Sequence, residues 1–560
     1  MGYLLHILIV LGAEALGEQR ITTGWNMPWA FVGLMSVPHA LSRLAQSLLI
    51  KGQFARATFV TRILRWSAPL LQLILVCAFG WVQSAREWTS AGQGMFSWPE
   101  PGLFLALAPY LVFELLVIDA QARVHDNRDH ERRALRSFRL RMFLSALLPI
   151  GLYFALSGLV AINETVRVHV EQVALINSLF MLVLLALLAL VLPILMRNTW
   201  ETLPIPPSPQ RSVLERVAER ASFRARELLI WRTGNLMANA AIVGVSARSR
   251  VVLFSDSLLS VLSLRELASV FGHEMGHALR HHVWIFVAWA LAFFLGADQL
   301  TQAMALADAN PWFTSAALLA TLAAWALTFG WMSRRFELEA DLFSLQLLND
   351  PEGLISALER VGPRDRDSGG WRHFSTRRRV DFIIHAAGDS EWASRFRKRL
   401  RVIAVIGFLG AAIAGTFTVR GLFATLPEDR IWADLSLGHY EVAATRAERV
   451  HRSRGDGLDE ELLDLARLAM RFASDAQVTA TELQVADLEE ALARALKGGN
   501  LQLALGYSKL AILRGARELH PLSRTLVALM AHDSLAAQEN FQGVEAPWRA
   551  ALTPWASSLE

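Results

Sequence analysis

Apolar blocks about as long as a bilayer is thick constrain this chain more than anything else in it. A helix needs roughly 17 to 25 such residues to cross the hydrocarbon core. Blocks lie near 28 to 49, 67 to 83, 102 to 119, 142 to 162, 173 to 196, 283 to 305, 312 to 332 and 402 to 425. A shorter one, 3 to 16, contains Glu14. No Lys or Arg precedes it and no small-residue cleavage site follows, so it reads as a first span rather than a removed signal. The expectation is about nine transmembrane helices in a mostly α, polytopic membrane protein. Composition agrees, with 53% hydrophobic and only 19% charged residues.

Charge orients these blocks. Arg and Lys crowd 51 to 65, 123 to 141, 197 to 280 and 334 to 401, while the alternate loops are nearly free of them. By the positive-inside rule the crowded loops are cytoplasmic. An odd number of spans then puts the C-terminal region on the opposite side. Only four of the 55 basic residues are lysine, a bias of GC-rich bacterial genomes, so a bacterial inner membrane is expected. Basic residues spaced by topology leave no reason to expect nucleic acid as a partner; the partner surface is the lipid bilayer. The single cysteine, Cys77, excludes an intrachain disulfide and a cysteine metal site. Glu14 and Glu114 lie inside apolar blocks. Each reads either as lining a polar chamber or as reaching water from a span end.

The longest polar stretch before the 283 block opens with a proline-rich linker at 204 to 210. Residues 212 to 230 are helical in pattern. Two β-rich pieces, 240 to 245 and 250 to 254, flank a polar turn and read as a hairpin. Ser263 and Glu266 form a capping-box pair opening the next helix. That helix carries His273-Glu274-x-x-His277. Residues four apart share a helix face, so both imidazoles can reach one metal ion, with Glu274 placed as general base toward the water it activates. The apolar block at 283 follows at once.

A zinc site that activates water needs a third protein ligand and an open position. Directly after the next apolar block, Glu337 and Asp341 stand four apart on one face, with Glu339 pointing elsewhere. Glu337 is the candidate third ligand. Asp341 is the candidate partner for an imidazole N–H. The short connection 306 to 311 makes the two blocks an antiparallel hairpin that returns both motifs to one membrane face. His281 and His282 are rival ligands. The expected complement is one Zn²⁺ per chain.

Four pieces in order resemble the integral-membrane zinc endopeptidases of the type I CaaX prenyl protease and HtpX kind. They are Asn239-Ala240 with the following strand, RVVLFSDSLL at 250 to 259, the two metal motifs, and HFSTRRRV at 373 to 380. The last departs from the family at Phe374, where proline is usual. The resemblance covers 212 to 385. It implies a zincin-like catalytic domain in which Asn239 and Ala240 open an edge that pairs with an extended substrate. It implies that His373 stands across the zinc, where it can donate to an oxyanion. It further implies that Arg379 pairs with a carboxylate of the site such as Asp341. By their own pattern Asn239 reads as a turn residue, and His373 and Arg379 as part of a basic juxtamembrane face.

After 426 the chain turns charged, amphipathic and helical. Segments from Leu435 and Leu496 resemble each other, each with Gly-x-x-x-x-Ala at helix-hairpin spacing, which suggests a tetratricopeptide-like domain. An unrelated helical bundle fits as well. The expected organisation is therefore 1–203 as a multi-span region, 204–400 as a zinc metallopeptidase domain with its transmembrane hairpin, 401–426 as a last span and 427–560 as a soluble helical domain. The expected activity is zinc-dependent hydrolysis of peptide bonds in membrane-associated, lipidated or misfolded proteins, the C-terminal domain recruiting a protein partner. The competing reading is a membrane scaffold or sensor with little or no proteolysis; a transporter is suggested only by the span count.

Overall fold

Apolar chain in a bilayer has no water to satisfy its peptide groups, so it closes its hydrogen bonds within helices. Helices dominate the computed structural model accordingly. It describes residues 27–82, 99–125, 129–244, 246–306, 311–362, 366–454, 460–474, 485–513, 516–530, 534–552 and 554–555. Seven described helices are long and apolar enough to cross a membrane: Phe54–Phe79, Leu105–Val124, Arg132–Val160, Ala174–Val191, His282–Met304, Ala316–Leu348 and Ser390–Ser436. Helices of this length and composition mark an integral membrane protein. The block at 3 to 16 lies outside the described residues.

The block at 28 to 49 departs from expectation. It forms two helices, Met27–Met35 and Val37–Ile50, meeting at Ser36. Pro38 is the cause. It has no N–H to give the preceding turn, so the first helix ends and a second begins with proline in its first turn. Neither piece reaches the roughly 17 residues a crossing needs.

The chain divides into two compact units, Met1–Met181 with Thr425–Glu560, and Leu182–Ala424. In the first, helices Phe54–Phe79 and Pro99–His125 pack through Leu64, Leu75, Phe113 and Val117, all fully buried. Gln72 is buried between them and donates its amide to the Ala106 carbonyl at 2.9 Å. Glu114 is also buried, at 2% exposure, so it does not reach water from a span end. Farther along, Gly438 and Gly499 repeat one device. Each takes a positive φ, 74° and 77°, at a helix end. The residue after each, His439 or Asn500, donates back to Asp434 or Ala495 five positions before it. A Cβ is disfavoured in that conformation, so glycine ends one helix and the next starts at once.

The second unit holds a four-stranded sheet: β1 (Thr202–Pro204), β2 (Glu227–Trp231), β3 (Ala240–Val243) and β4 (Val251–Ser255). The order is β1-β2-β4-β3. β3 and β4 form the expected hairpin, with Ala240 opposite Phe254 and Val243 opposite Val251. β2 lies parallel to β4. The helical expectation for 212 to 230 holds only in part. Helix Pro209–Arg220 ends there, Ser222 turns with φ 50°, and 227 to 231 form β2. Glu-Leu-Leu-Ile-Trp continues the apolar spacing of a helix, but the sheet supplies its hydrogen-bond partners on both sides. The proline-rich segment is strand β1 and then a turn whose Ser208 caps helix Pro209–Arg220.

Candidate metal centre

The motif helix, Leu264–Leu279, starts with the expected capping box. Ser263 accepts from the Glu266 backbone N–H, and Glu266 accepts from the Ser263 N–H at 2.7 Å. Glu266 also accepts from Ser356 and pairs with Arg360 at 3.0 Å, which ties this end down. Its far end stops at Arg280, and His281 takes a left-handed φ of 59° before the span helix His282–Leu306 begins.

The motif helix lies against the acidic helix, Pro311–Leu348, at very close range. A Cβ on Gly276 would stand 2.9 Å from the Ala340 Cα, and one on Gly272 would stand 2.7 Å from Ser344 Oγ. These two glycines are four apart, about one turn of a helix, each directly before a motif histidine. Their missing side chains let His273 and His277 meet Glu337 and Asp341 of the facing helix.

The geometry brings one group together. His273 Nε2 and His277 Nε2 are 3.3 Å apart, and Glu337 lies 3.7 Å from the first and 3.5 Å from the second. Among the described residues only these three form a cluster whose donor atoms could hold a metal, all within 4.8 Å of one another. Each imidazole is held from behind. His273 Nδ1 stands 2.8 Å from Asp341 Oδ1. His277 Nδ1 stands 2.9 Å from His282 Nδ1, and His282 Nε2 is 3.0 Å from Glu339 Oε2. A carboxylate can only accept, so Nδ1–H of His273 donates to Asp341 and Nε2–H of His282 donates to Glu339. His282 Nδ1 is then an acceptor, and His277 donates to it. Both Nε2 atoms are left with bare lone pairs facing one another beside a carboxylate. That arrangement is repulsive by itself and fits a zinc ion with His₂Glu ligation.

His282 is therefore not a rival ligand in this arrangement. It is 1% exposed, is stacked on Phe336 at 4.3 Å, and supports His277. Glu339 points away from the cluster, as its position predicts, and meets His282 there. A His five residues after the second motif histidine and a Glu two after Glu337 were the available signal for this pair.

Arg379, on helix Thr376–Gly388, donates to both Asp341 oxygens, Nε to Oδ2 at 2.8 Å and Nη2 to Oδ1 at 2.6 Å. Burial works against its charge, but Asp341 raises its pKa overall. His373 stands with Nδ1 3.1 Å from Glu337 Oε2 and is otherwise largely exposed. Its loop is seated by Trp371, whose indole occupies the space a Cβ on Gly330 would need and packs on Phe329 at 5.4 Å. Asn239 precedes β3, where its N–H donates to Ser255 Oγ and its carbonyl accepts from the Ser255 N–H, both at 2.9 Å. Among the described strands, β3 pairs only with β4 and so forms one edge of the sheet.

Electrostatics separates the roles. Burial pushes the Glu274 carboxyl up to about 7, with Glu337 adding to the rise and His273, Arg379 and His373 opposing it. Burial and the neighbouring His273 hold His277 well below the usual imidazole value. Burial also works against charge on His273, but Asp341 wins and raises it. Glu274 thus stands, raised by burial, beside the His273, His277 and Glu337 cluster, where a carboxyl can serve as a base toward water.

Residues 209–428 match the family described as Peptidase family M48. A "Protease HtpX homolog" of Paenarthrobacter aurescens is 29% identical over 160 residues, 27% of this chain and 55% of that protein. A "CAAX prenyl protease 1 homolog" of Oryza sativa subsp. japonica is 34% identical over 95 residues, 16% of this chain and 22% of that protein. A "Protease HtpX homolog" of Methylibium petroleiphilum is 32% identical over 133 residues, 22% of this chain and 46% of that protein. The chain thus spans about half or less of the length of these curated relatives. The crystal structure of S. mikatae Ste24p aligns with a TM-score of 0.44 at 15% identity, over 65% of this chain and 100% of that one.

Proposed function

We propose that this chain, whose residues 209–428 match the family described as Peptidase family M48, is a membrane-embedded, zinc-dependent endopeptidase. The observation that carries this reading is the convergence of His273, His277 and Glu337 with Glu274 beside them. When bound there, zinc would supply Lewis acidity toward a water and a scissile carbonyl.

The chain's own groups do the rest. Glu274 takes the proton from the attacking water and delivers it to the departing amine. Asp341 fixes His273 with its Nε2 free, and Arg379 holds Asp341 in place. His373 sits beside Glu337, at the edge of the ligand cluster, where it can donate to developing negative charge. The edge of β3 offers backbone groups to an extended substrate, with Asn239 and Ala240 at its start.

The substrate class is a membrane-associated, lipidated or misfolded protein that reaches the site from the cytoplasm or the bilayer. The site faces the cytoplasm of a bacterial inner membrane, and the helices after residue 427 lie on the other side, where they take a protein partner. Support for the orientation is the basic character of the loops around the site.

Glu274→Gln tests the reading. It keeps shape and ligands but removes the base, so zinc stays bound while cleavage of an unfolded model substrate falls to background, a loss of about 100-fold or more. Unchanged cleavage by that variant would sink the assignment.

A further inference from the structure

On the face of helix Thr376–Gly388 away from Arg379's carboxylate partner lies a cavity of about 400 Å³. Arg335 and Arg378 line it, with aromatic walls from Phe374, Phe382, Trp392 and Phe396. Asp381 is the carboxylate in its lining, so the two arginines leave it cationic.

Three guanidinium groups crowd this corner. Arg335 lies 3.7 Å over the Trp331 ring, Arg378 lies 4.3 Å over Phe374, and Arg334 lies 5.7 Å over the same Phe374. Nearby arginines have anionic partners: Arg377 has Asp367 at 3.0 Å and Arg379 has Asp341. Among the described residues, none of Arg334, Arg335 and Arg378 has a carboxylate within ion-pair distance. Guanidinium groups gathered with no carboxylate in ion-pair reach cost stability, and an anion in the cavity would remove that cost.

The cavity's height in the chain says which anion. Arg335 directly follows an apolar stretch of the candidate span Ala316–Leu348. Trp392 and Phe396 lie near the start of Ser390–Ser436, a few residues before its apolar part. Both walls therefore lie at the polar ends of apolar stretches, where a span meets lipid headgroups. Arginine forks match phosphate oxygens, and aromatic rings tolerate the glycerol and first acyl carbons beside them.

We propose that this cavity binds the phosphate headgroup of an anionic membrane lipid, held by Arg335 and Arg378 against the wall of Phe382, Trp392 and Phe396. Basic pockets between spans on the cytoplasmic side take lipids in this way.

The test uses the full chain, delipidated in neutral detergent and titrated with phosphatidylglycerol or phosphatidylcholine under native mass spectrometry. The expected result is one retained phosphatidylglycerol, preferred over phosphatidylcholine by about tenfold or more. The double variant Arg335→Gln, Arg378→Gln should lose that preference. The double variant Arg335→Lys, Arg378→Lys should keep most of it, and zinc content reports that each variant is folded. No preference in the native chain, or an undiminished one in the glutamine variant, overturns the proposal. Glycerol 1-phosphate binding as tightly as the lipid would overturn it too, since the aromatic wall would then contribute nothing.

Discussion

The two imidazoles of His277 and His282 face each other through their Nδ1 atoms at 2.9 Å, and Glu339 closes the line at 3.0 Å from the far nitrogen of His282. A candidate ligand is thus held by a histidine, which is itself held by a carboxylate. His282→Ala and Glu339→Gln should each weaken zinc binding by about 10- to 100-fold, measured by competition with a chelator. His282→Asn offers an amide oxygen that can accept from His277 and should recover part of the loss. Wild-type zinc affinity in all three would remove the positioning role.

Gly276 sets the distance between the two motif helices, with Ala340 opposite it. Gly276→Ala should cost about 1 to 3 kcal/mol of stability by overpacking. Gly276→Val should go further and abolish stoichiometric zinc, because the helices must part by more than the site tolerates. Thermal unfolding and metal content of the purified variants read the two effects separately.

Glu266 links the motif helix to acid. Burial works against its charge, but hydrogen bonds from Ser356 and Ser263 and the nearby Arg360 win and lower its pKa. A carboxyl lowered in the fold stabilises it fully above its unfolded value of about 4.3. That contribution fades as pH falls from there through the lowered folded value. Glu266→Gln should lower the unfolding temperature at pH 7 and flatten the loss of stability between about pH 5 and 3. An unchanged acid limb would show that other carboxylates set it.

Topology follows from the basic loops. A reporter fused after residue 340 should read cytoplasm, and one after residue 430 the opposite compartment. The same side for both would mean that Ser390–Ser436, long enough by composition, does not cross.

How much of this was legible in the sequence depends on whether a feature is local. His273, His277, Glu337 and Asp341 could be read directly, because a four-residue spacing on a helix fixes a shared face. Pairing the two motifs needed only the short link between spans. The role of His282 was hidden, since it depends on the left-handed turn at His281, which no spacing rule supplies. β2 was hidden by its apolar spacing, which fits a helix until β4 is there to pair with it. The block at 28 to 49 had the composition of a span, and one proline divided it. The glycines at 438 and 499 were visible as a repeat; their shared helix-ending geometry was not.

The acidic helix Pro311–Leu348 is one unbroken rod of 38 residues, with proline only at its first position. At about 1.5 Å per residue it is far longer than the roughly 30 Å hydrocarbon core. Its first part has the composition of a membrane span, and its last part carries Glu337 and Asp341. With no hinge between them, the rod is a lever. A tilt that a thinner or thicker bilayer imposed on the span would be carried along the rod to the two carboxylates.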